Sequence, residues 1–296
     1  MINKIIYKNE IAAVVVTYNR LKLLMKVING LLNQTLQPNR IIIINNNSTD
    51  GTADWLTELS KKYSHITTIT QDNTGSSGGQ YTGTNIAYTM GYEWIWIMDD
   101  DVVPTTECLQ NLMLHCKPDV VSHPLGIGPD NKPIDVDVRG LNTINPFKRM
   151  FKHCPFTEDE LKADFISIDV VTFEGPIFHH SMFKKVGFPD KKIFIYADDT
   201  EFSIRLKKCG IHFVKVPKAT LNRLLFLYRK IDFNDWKFYY VIRNLTIIDN
   251  LYGNIPVKFI RPVLRILPKI FKCRKLSQLK TLFRALYDGY FYKQEN

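Results

Sequence analysis

The chain has 296 residues, 45% of them hydrophobic and 23% charged, a composition that excludes disorder and suffices for one large α/β domain plus an appendage. The five cysteines, Cys108, Cys116, Cys154, Cys209 and Cys273, are odd in number and contain no CxxC pair, which argues against a disulfide framework or a zinc knuckle and for reduced structural thiols. The net charge of +10 is unevenly placed: from Pro256 onward ten basic residues stand against Asp288 and Glu295 alone, so +8 of the total lies in the tail.

The opening MINKIIYKNE has a short apolar run broken by charge and no small-residue cleavage site, and no run of 18 apolar residues occurs in the chain; the expectation is a cytoplasmic protein without a leader or spanning helix. Ile11–Thr17 (IAAVVVT) is a β-branched run that reads as a strand buried on both faces. A helical pattern follows over Leu21–Leu32. Arg40–Asn45 (RIIIIN) reads as a second buried strand, and residues 51–63 as a helix introduced by Ser48, Thr49 and Asp50. Ile66–Thr70 is a third strand, residues 83–90 a helix after a glycine-rich loop, and residues 93–98 (EWIWIM) a fourth strand that runs into three aspartates. Strands alternating with helices at this spacing predict a doubly wound, mostly parallel, Rossmann-like sheet with ligands at the carboxyl ends of its strands. The second half is less regular, with strands expected over 165–171, 172–179 and 211–216, and helices over 181–186, 200–209 and 237–251.

Asp99, Asp100 and Asp101 repel one another and favour a divalent cation, with the alternate members Asp99 and Asp101 placed to bind it together from one turn. The plainer alternative is a solvated acidic turn ahead of a helix near Glu107. Upstream, Asn73-Thr74-Gly75-Ser76-Ser77-Gly78-Gly79 offers backbone N–H groups before a helix, suited to a phosphate or to close approach of a sugar, or else a plain flexible loop. Phe194-Ile195-Tyr196-Ala197-Asp198-Asp199-Thr200-Glu201-Phe202 sets a second acidic cluster after an apolar segment, where a carboxylate can accept the proton of an attacking hydroxyl. A helix N-terminus, which also favours acids, is the competing account.

Taken in order, Val14-Val15-Val16-Thr17-Tyr18-Asn19-Arg20, Asn46-Asn47-Ser48-Thr49-Asp50-Gly51-Thr52, the Asn73–Gly79 stretch, Trp96-Ile97-Met98-Asp99-Asp100-Asp101 and Val186-Gly187-Phe188 with Ala197-Asp198-Asp199 resemble the family 2 inverting glycosyltransferases of GT-A fold, over roughly residues 11 to 250. The Gly-Gly pair, the Trp-bearing strand and the triple Asp are most similar to galactofuranosyltransferases and their rhamnosyltransferase relatives. That resemblance implies Thr17, Tyr18 and Asn19 at the nucleotide, and Asn46, Asn73, Gly78, Gly79 and Arg243 also on the donor side. It implies Asp99 and Asp101 on Mn²⁺ or Mg²⁺ held by the donor diphosphate, and Asp100 at the sugar or ribose. Asp199, with Asp198 beside it, is the implied base. Glu174 falls where relatives line the acceptor site, and Trp94 and Trp96 read as core.

The resemblance also implies a donor such as UDP-galactofuranose or another UDP-hexose, with dTDP-rhamnose the alternative, and a glycan or polyprenyl-diphosphate-linked acceptor. Two departures stand out: Asn45 replaces an aspartate common in the family, and Val216-Pro217 is followed by Asn222 with no metal-binding histidine. His212 reads as structural.

The tail beyond Val257 spaces Ile260, Val263, Leu264, Leu267, Ile270 and Phe271 by three or four, with Lys258, Arg261, Arg265, Lys269 and Lys272 opposite. This is the pattern of an amphipathic helix lying on an anionic membrane surface across residues 256–285, at the inner face of the cell membrane. Pro262 and Pro268 predict a kinked pair. An ordinary helix docking its apolar stripe on the catalytic domain is the alternative. The expected division is a catalytic unit over 1–250, its nucleotide part about 1–105 and its acceptor part about 106–250, and a basic helical tail over 251–296. A nucleic-acid-binding protein lacks any supporting motif, an inactive transferase fold sits poorly with Asp99, Asp101 and Asp199, and a nucleotidyltransferase would need glycines near Thr17. A homo-oligomer remains open.

Overall fold

A computed structural model describes residues 10–134, 138–226, 231–233 and 235–294. The segment ahead of Glu10, read above for a leader, and Glu295 of the tail lie outside the described residues.

In chain order the elements are β1 (Ile11–Thr17), α1 (Leu21–Leu32), β2 (Arg40–Asn45), α2 (Thr52–Lys62), β3 (Ile66–Thr70), α3 (Gly75–Thr89), β4 (Trp94–Asp99), β5 (Val102–Pro104), α4 (Cys108–Met113) and β6 (Val120–Ile127). There follow β7 (Val138–Leu141), β8 (Phe151–His153), α5 (Glu158–Lys162), β9 (Ile166–Ile168), β10 (Ile177–His179), α6 (His180–Val186), a 3-10 turn (Lys191–Ile193), α7 (Asp198–Lys208), β11 (His212–Arg223), α8 (Lys237–Tyr252), α9 (Ile255–Ile270) and α10 (Leu276–Tyr290).

Among the described residues nine strands form one sheet in the order β3-β2-β1-β4-β10-β6-β11-β5, with β9 added on β11. The first four are parallel, as are β6 and β11, whereas β5, β9 and β10 run against their neighbours. Period-2 side chains send Ala13 and Val15 to one face and Ala12, Val14 and Val16 to the other, and both faces are covered. On the first face α1 buries Leu24, Val27, Ile28 and Leu31, spaced as one helical stripe, each contributing about 2 kcal/mol of apolar burial. Aromatic side chains fill the second face around Phe178, Phe183 and Phe202. Trp94 and Trp96 belong to the core, the indole N–H of Trp96 donating to the Gly175 carbonyl at 2.9 Å.

Three expectations are corrected. The glycine-rich stretch is not a loop: α3 starts at Gly75. Added Cβ atoms at Gly79 and Gly83 would run into Val16 and Val14, so these glycines let the helix lie directly on β1. Residues 172–179 are strand only over Ile177–His179, and 165–171 only over Ile166–Ile168. The tail prolines do not split a helix. α9 runs through Pro262 and Pro268, and the Lys258 carbonyl that Pro262 leaves without its helical donor accepts instead from the Tyr290 hydroxyl at 2.9 Å.

Helices α8, α9 and α10 form a small bundle whose core includes Phe238, Ile242, Ile266, Leu282 and Ala285. Beneath it Asp249 is fully buried and takes Arg261 at 3.0 Å and Arg265 at 2.6 Å. The cationic side of α9 therefore turns inward at these two positions, and its apolar stripe turns out. That reverses the arrangement of an ordinary docked amphipathic helix.

Candidate active site

The chain steps outward from β1 to β2 to β3 and then returns to place β4 on the other side of β1, so the strand order switches between β1 and β4. A parallel sheet opens a crevice at such a point, at the carboxyl ends of the strands. Val16 of β1 stands opposite Asp99 of β4, which brings the two motif-bearing ends together.

Asp100 turns toward β1. It accepts from the Thr17 hydroxyl at 2.7 Å, from the Tyr18 N–H at 3.4 Å and from Arg20 at 3.0 Å. Arg20 also reaches one oxygen of Asp101, at 3.3 Å, while the other Asp101 oxygen is buried and has no hydrogen-bond partner. The loops after β1 and β2 are stitched together: Asn19, at positive φ, accepts from the Thr49 N–H at 2.7 Å, and Asp50 accepts from the Leu21 N–H at 2.8 Å. Tyr18 stands exposed at the mouth. Asn46 donates to the Gly75 carbonyl and Asn73 accepts from the Gly75 N–H, both at 3.0 Å, so these two shape the start of α3. Gly78 is packed against Thr74 and Gly79 against Val16. Asn45, the departure from the family pattern, is buried and spent on Ser48 and Thr70. Asn222 is exposed on β11 opposite Val103.

The second acidic cluster arrives by an unusual backbone. Phe194, Tyr196 and Ala197 all have positive φ, rare for residues with a Cβ, directly ahead of Asp198. The distortion is held from α8: Asn244 donates its amide toward the carbonyls of Ile193, Ile195 and Tyr196 at 2.7–3.2 Å, and Arg243 donates to those of Lys192 and Ile193. Gly75 completes the clamp, since a Cβ there would strike the Phe194 carbonyl, which accepts from the Ser77 N–H at 3.1 Å. Arg243 is thus occupied with this loop and with the faces of Tyr239 and Tyr240. It lines a separate open cleft of about 420 Å³ with Asp288 and Tyr292. Asn244 went unrecognised as a site-building residue, although it stands in the Tyr-Tyr-x-x-Arg-Asn run that marks the clamp.

The two clusters meet. Burial pushes the Asp99 carboxyl well above the usual carboxylate range, and Asp101, Glu174, Asp100 and Asp198 push it further. Burial raises Asp198 to about 7, its neighbour Asp199 adding to the rise while Ser76 opposes it, and one Asp198 oxygen is buried without a partner. Burial raises Asp199 to about 6 against the bonds it accepts at one oxygen from the Thr200 N–H and hydroxyl. Its other oxygen makes no hydrogen bond among the described residues. Glu174 is raised by burial despite its ion pair with Arg223, and it stands near enough to Asp101 and Asp99 for their charges to interact.

Among the described residues no three of His, Cys, Asp or Glu converge to form a cation site by themselves. Asp99 crowded by carboxylates, with orphan buried oxygens on Asp101 and Asp198, nevertheless suits a divalent ion that brings oxygen ligands of its own.

The sequence profile of glycosyl transferase family 2 matches residues 12–186, from β1 to the end of α6. The chain belongs to this family. It is therefore a glycosyltransferase; the matched segment includes Asp99, Asp100 and Asp101, whereas Asp198 and Asp199 lie beyond it. Similar relatives include the galactofuranosyltransferase GlfT1 of Mycolicibacterium smegmatis, 25% identical over 207 residues that make up 69% of this chain and 67% of that protein. The poly(ribitol-phosphate) beta-glucosyltransferase of Bacillus spizizenii is 28% identical over 187 residues, 61% of this chain but 27% of that protein. The chain thus spans about two thirds of the galactofuranosyltransferase length.

Among solved structures, GalNAc-T7 with UDP, GalNAc and Mn²⁺ superposes with TM-score 0.66 at 14% identity, over 94% of this chain and 54% of that one. S. aureus TarS 1-349 in complex with UDP-GlcNAc does so with TM-score 0.60 at 14% identity, over 95% and 80%. These likenesses establish the GT-A fold.

Proposed function

We propose that the chain is an inverting hexosyltransferase that moves a sugar from a nucleoside-diphosphate donor to a hydroxyl of a glycan or polyprenyl-diphosphate-linked acceptor at the inner face of a membrane, in cell-surface polysaccharide synthesis. The observation that carries this reading is the meeting of two carboxylate clusters about a hundred residues apart at the strand-order switch, with raised pKa values and orphan oxygens. UDP-galactofuranose or another UDP-hexose is the favoured donor, supported by the galactofuranosyltransferase relatives; dTDP-rhamnose is the alternative.

Thr17, Tyr18, Asn19 and Asn46 line the nucleotide side, and Asn73, Gly78 and Gly79 shape the start of α3 that borders it. Asp100, fixed by Thr17 and Arg20, meets the ribose or sugar. Asp99 and Asp101 are the residues to hold Mn²⁺ or Mg²⁺, which when bound neutralises charge developing on the leaving diphosphate. Asp199 takes the acceptor proton through its free oxygen, with a carboxyl near 6 that is ionised at neutral pH yet more basic than an exposed one. Asp198 stands beside it, its own carboxyl raised by burial and by Asp199, and attack from the face opposite the diphosphate inverts the anomeric centre. Arg243 acts through the loop that carries these acids.

Replacing Asp199 by Asn tests the assignment. Transfer should fall by about three orders of magnitude while donor binding persists; loss of donor binding would remove Asp199 from the role of base.

A further inference from the structure

Helix α9 carries its largest apolar side chains on the outside. Phe259 is 60% exposed, Leu267 44% and Phe271 82%, and Ile260, Val263 and Leu264 lie on the same side of the helix. This face is continuous over 16 residues, about 24 Å at the rise of an α-helix. The helix cannot rotate to hide it, because Arg261 and Arg265 are pinned to the buried Asp249 beneath. The stretch 255–275 contains seven Lys and Arg and no Asp or Glu. Lys272, Arg274 and Lys275, just past the end of the apolar stripe, are exposed.

We infer that α9 is a membrane-docking face: its apolar stripe enters the headgroup boundary of an anionic leaflet while the cations at its carboxyl end meet lipid phosphates. The charge selects the occupant. With Arg261 and Arg265 neutralised by Asp249, a second copy of the same face would bring Lys258, Lys269, Lys272, Arg274 and Lys275 against the same five cations, whereas anionic lipid neutralises them and accepts the apolar side chains at the same time. Among the described residues no helix is long and apolar enough to cross a membrane, so the contact lies in the interface plane. The inference deepens the reading of a membrane-borne acceptor, but vesicle binding is measured without any transfer, so either can fail alone.

The test is co-sedimentation of the full chain with phosphatidylcholine vesicles lacking or containing phosphatidylglycerol. Binding is expected to phosphatidylglycerol vesicles, to weaken with salt, and to fall about tenfold or more in Val263→Asp/Leu267→Asp. Phe259→Ser/Phe271→Ser, less disruptive substitutions at exposed positions, should repeat the loss with an unchanged Tm and unchanged UDP binding. Lys272→Ala/Lys275→Ala should reduce the salt dependence. Equal binding by the parent and both apolar variants would overturn the inference, as would binding that ignores phosphatidylglycerol. Self-association abolished by the same variants, without vesicle binding, would make the face a contact between copies instead.

Discussion

Two buried aspartate sites in this molecule are built in opposite ways. Beneath the tail, Asp249 is enclosed with two arginines that reach both of its oxygens. At the strand-order switch, Asp99, Asp101 and Asp198 are gathered with Glu174, and the arginines there cover only part of the group, Arg20 pairing with Asp100 and one oxygen of Asp101, and Arg223 with Glu174. A carboxylate kept for structure arrives with its counterions, because an unpaired buried charge is costly. In the proposed mechanism the carboxylates kept for chemistry are left short of them, and the ligand completes the balance.

The sharpest way to break this comparison is at the base, where Asp199→Asn should cost about 10³ in transfer with the fold intact. The same logic applied beneath the tail gives the opposite phenotype. Arg261→Ala leaves Asp249 half-paired and should lower stability by about 3 kcal/mol, read as a drop in Tm, with UDP binding by the remaining folded protein unchanged.

Next in size is the response to pH. Burial holds Asp199 near 6 and Asp198 near 7, above the ordinary 3.8. The base form therefore appears only as pH rises through about 6–7, and kcat/KM should rise over that range. Stability runs the other way. A carboxyl raised in the folded state contributes most below its unfolded value, and that contribution is lost as pH climbs through the folded one. Without donor or metal, Tm should thus decline as pH rises from the unfolded value of 3.8 to about 7 and level off above it, and Asp198→Asn should flatten the decline. The smallest effect is expected at the clamp: Asn244→Ala frees the carbonyls of Ile193, Ile195 and Tyr196 and should lower kcat roughly tenfold through misplacement of the acids.

Much of the sheet was legible because β1, β2 and β4 are largely apolar runs, the mark of strands covered on both faces, and the half-buried edge strand β3 is entirely β-branched. The two acidic clusters were legible for the same reason, since each follows an apolar segment and ends it abruptly. Periodicity gave α9 as amphipathic but carried no information on which side faces in. Asp249, in the preceding helix, decides that by drawing Arg261 and Arg265 inward. The glycines of α3 read as a loop because glycine disfavours helix on its own; close contact with β1 overrode the propensity. Short strands such as β9 and β10 have three residues each, too few for a period to register. Asn244 was overlooked because its partners are backbone carbonyls, which no complementary side chain betrays; only its place in the Tyr-Tyr-x-x-Arg-Asn run pointed to it.

The most direct test is calorimetric titration of the full chain with UDP, with and without Mn²⁺, beside an Asp99→Ala/Asp101→Ala variant. UDP binding that requires Mn²⁺ and disappears in the variant is the predicted result. Binding that is indifferent to Mn²⁺ and survives loss of both aspartates would contradict the account.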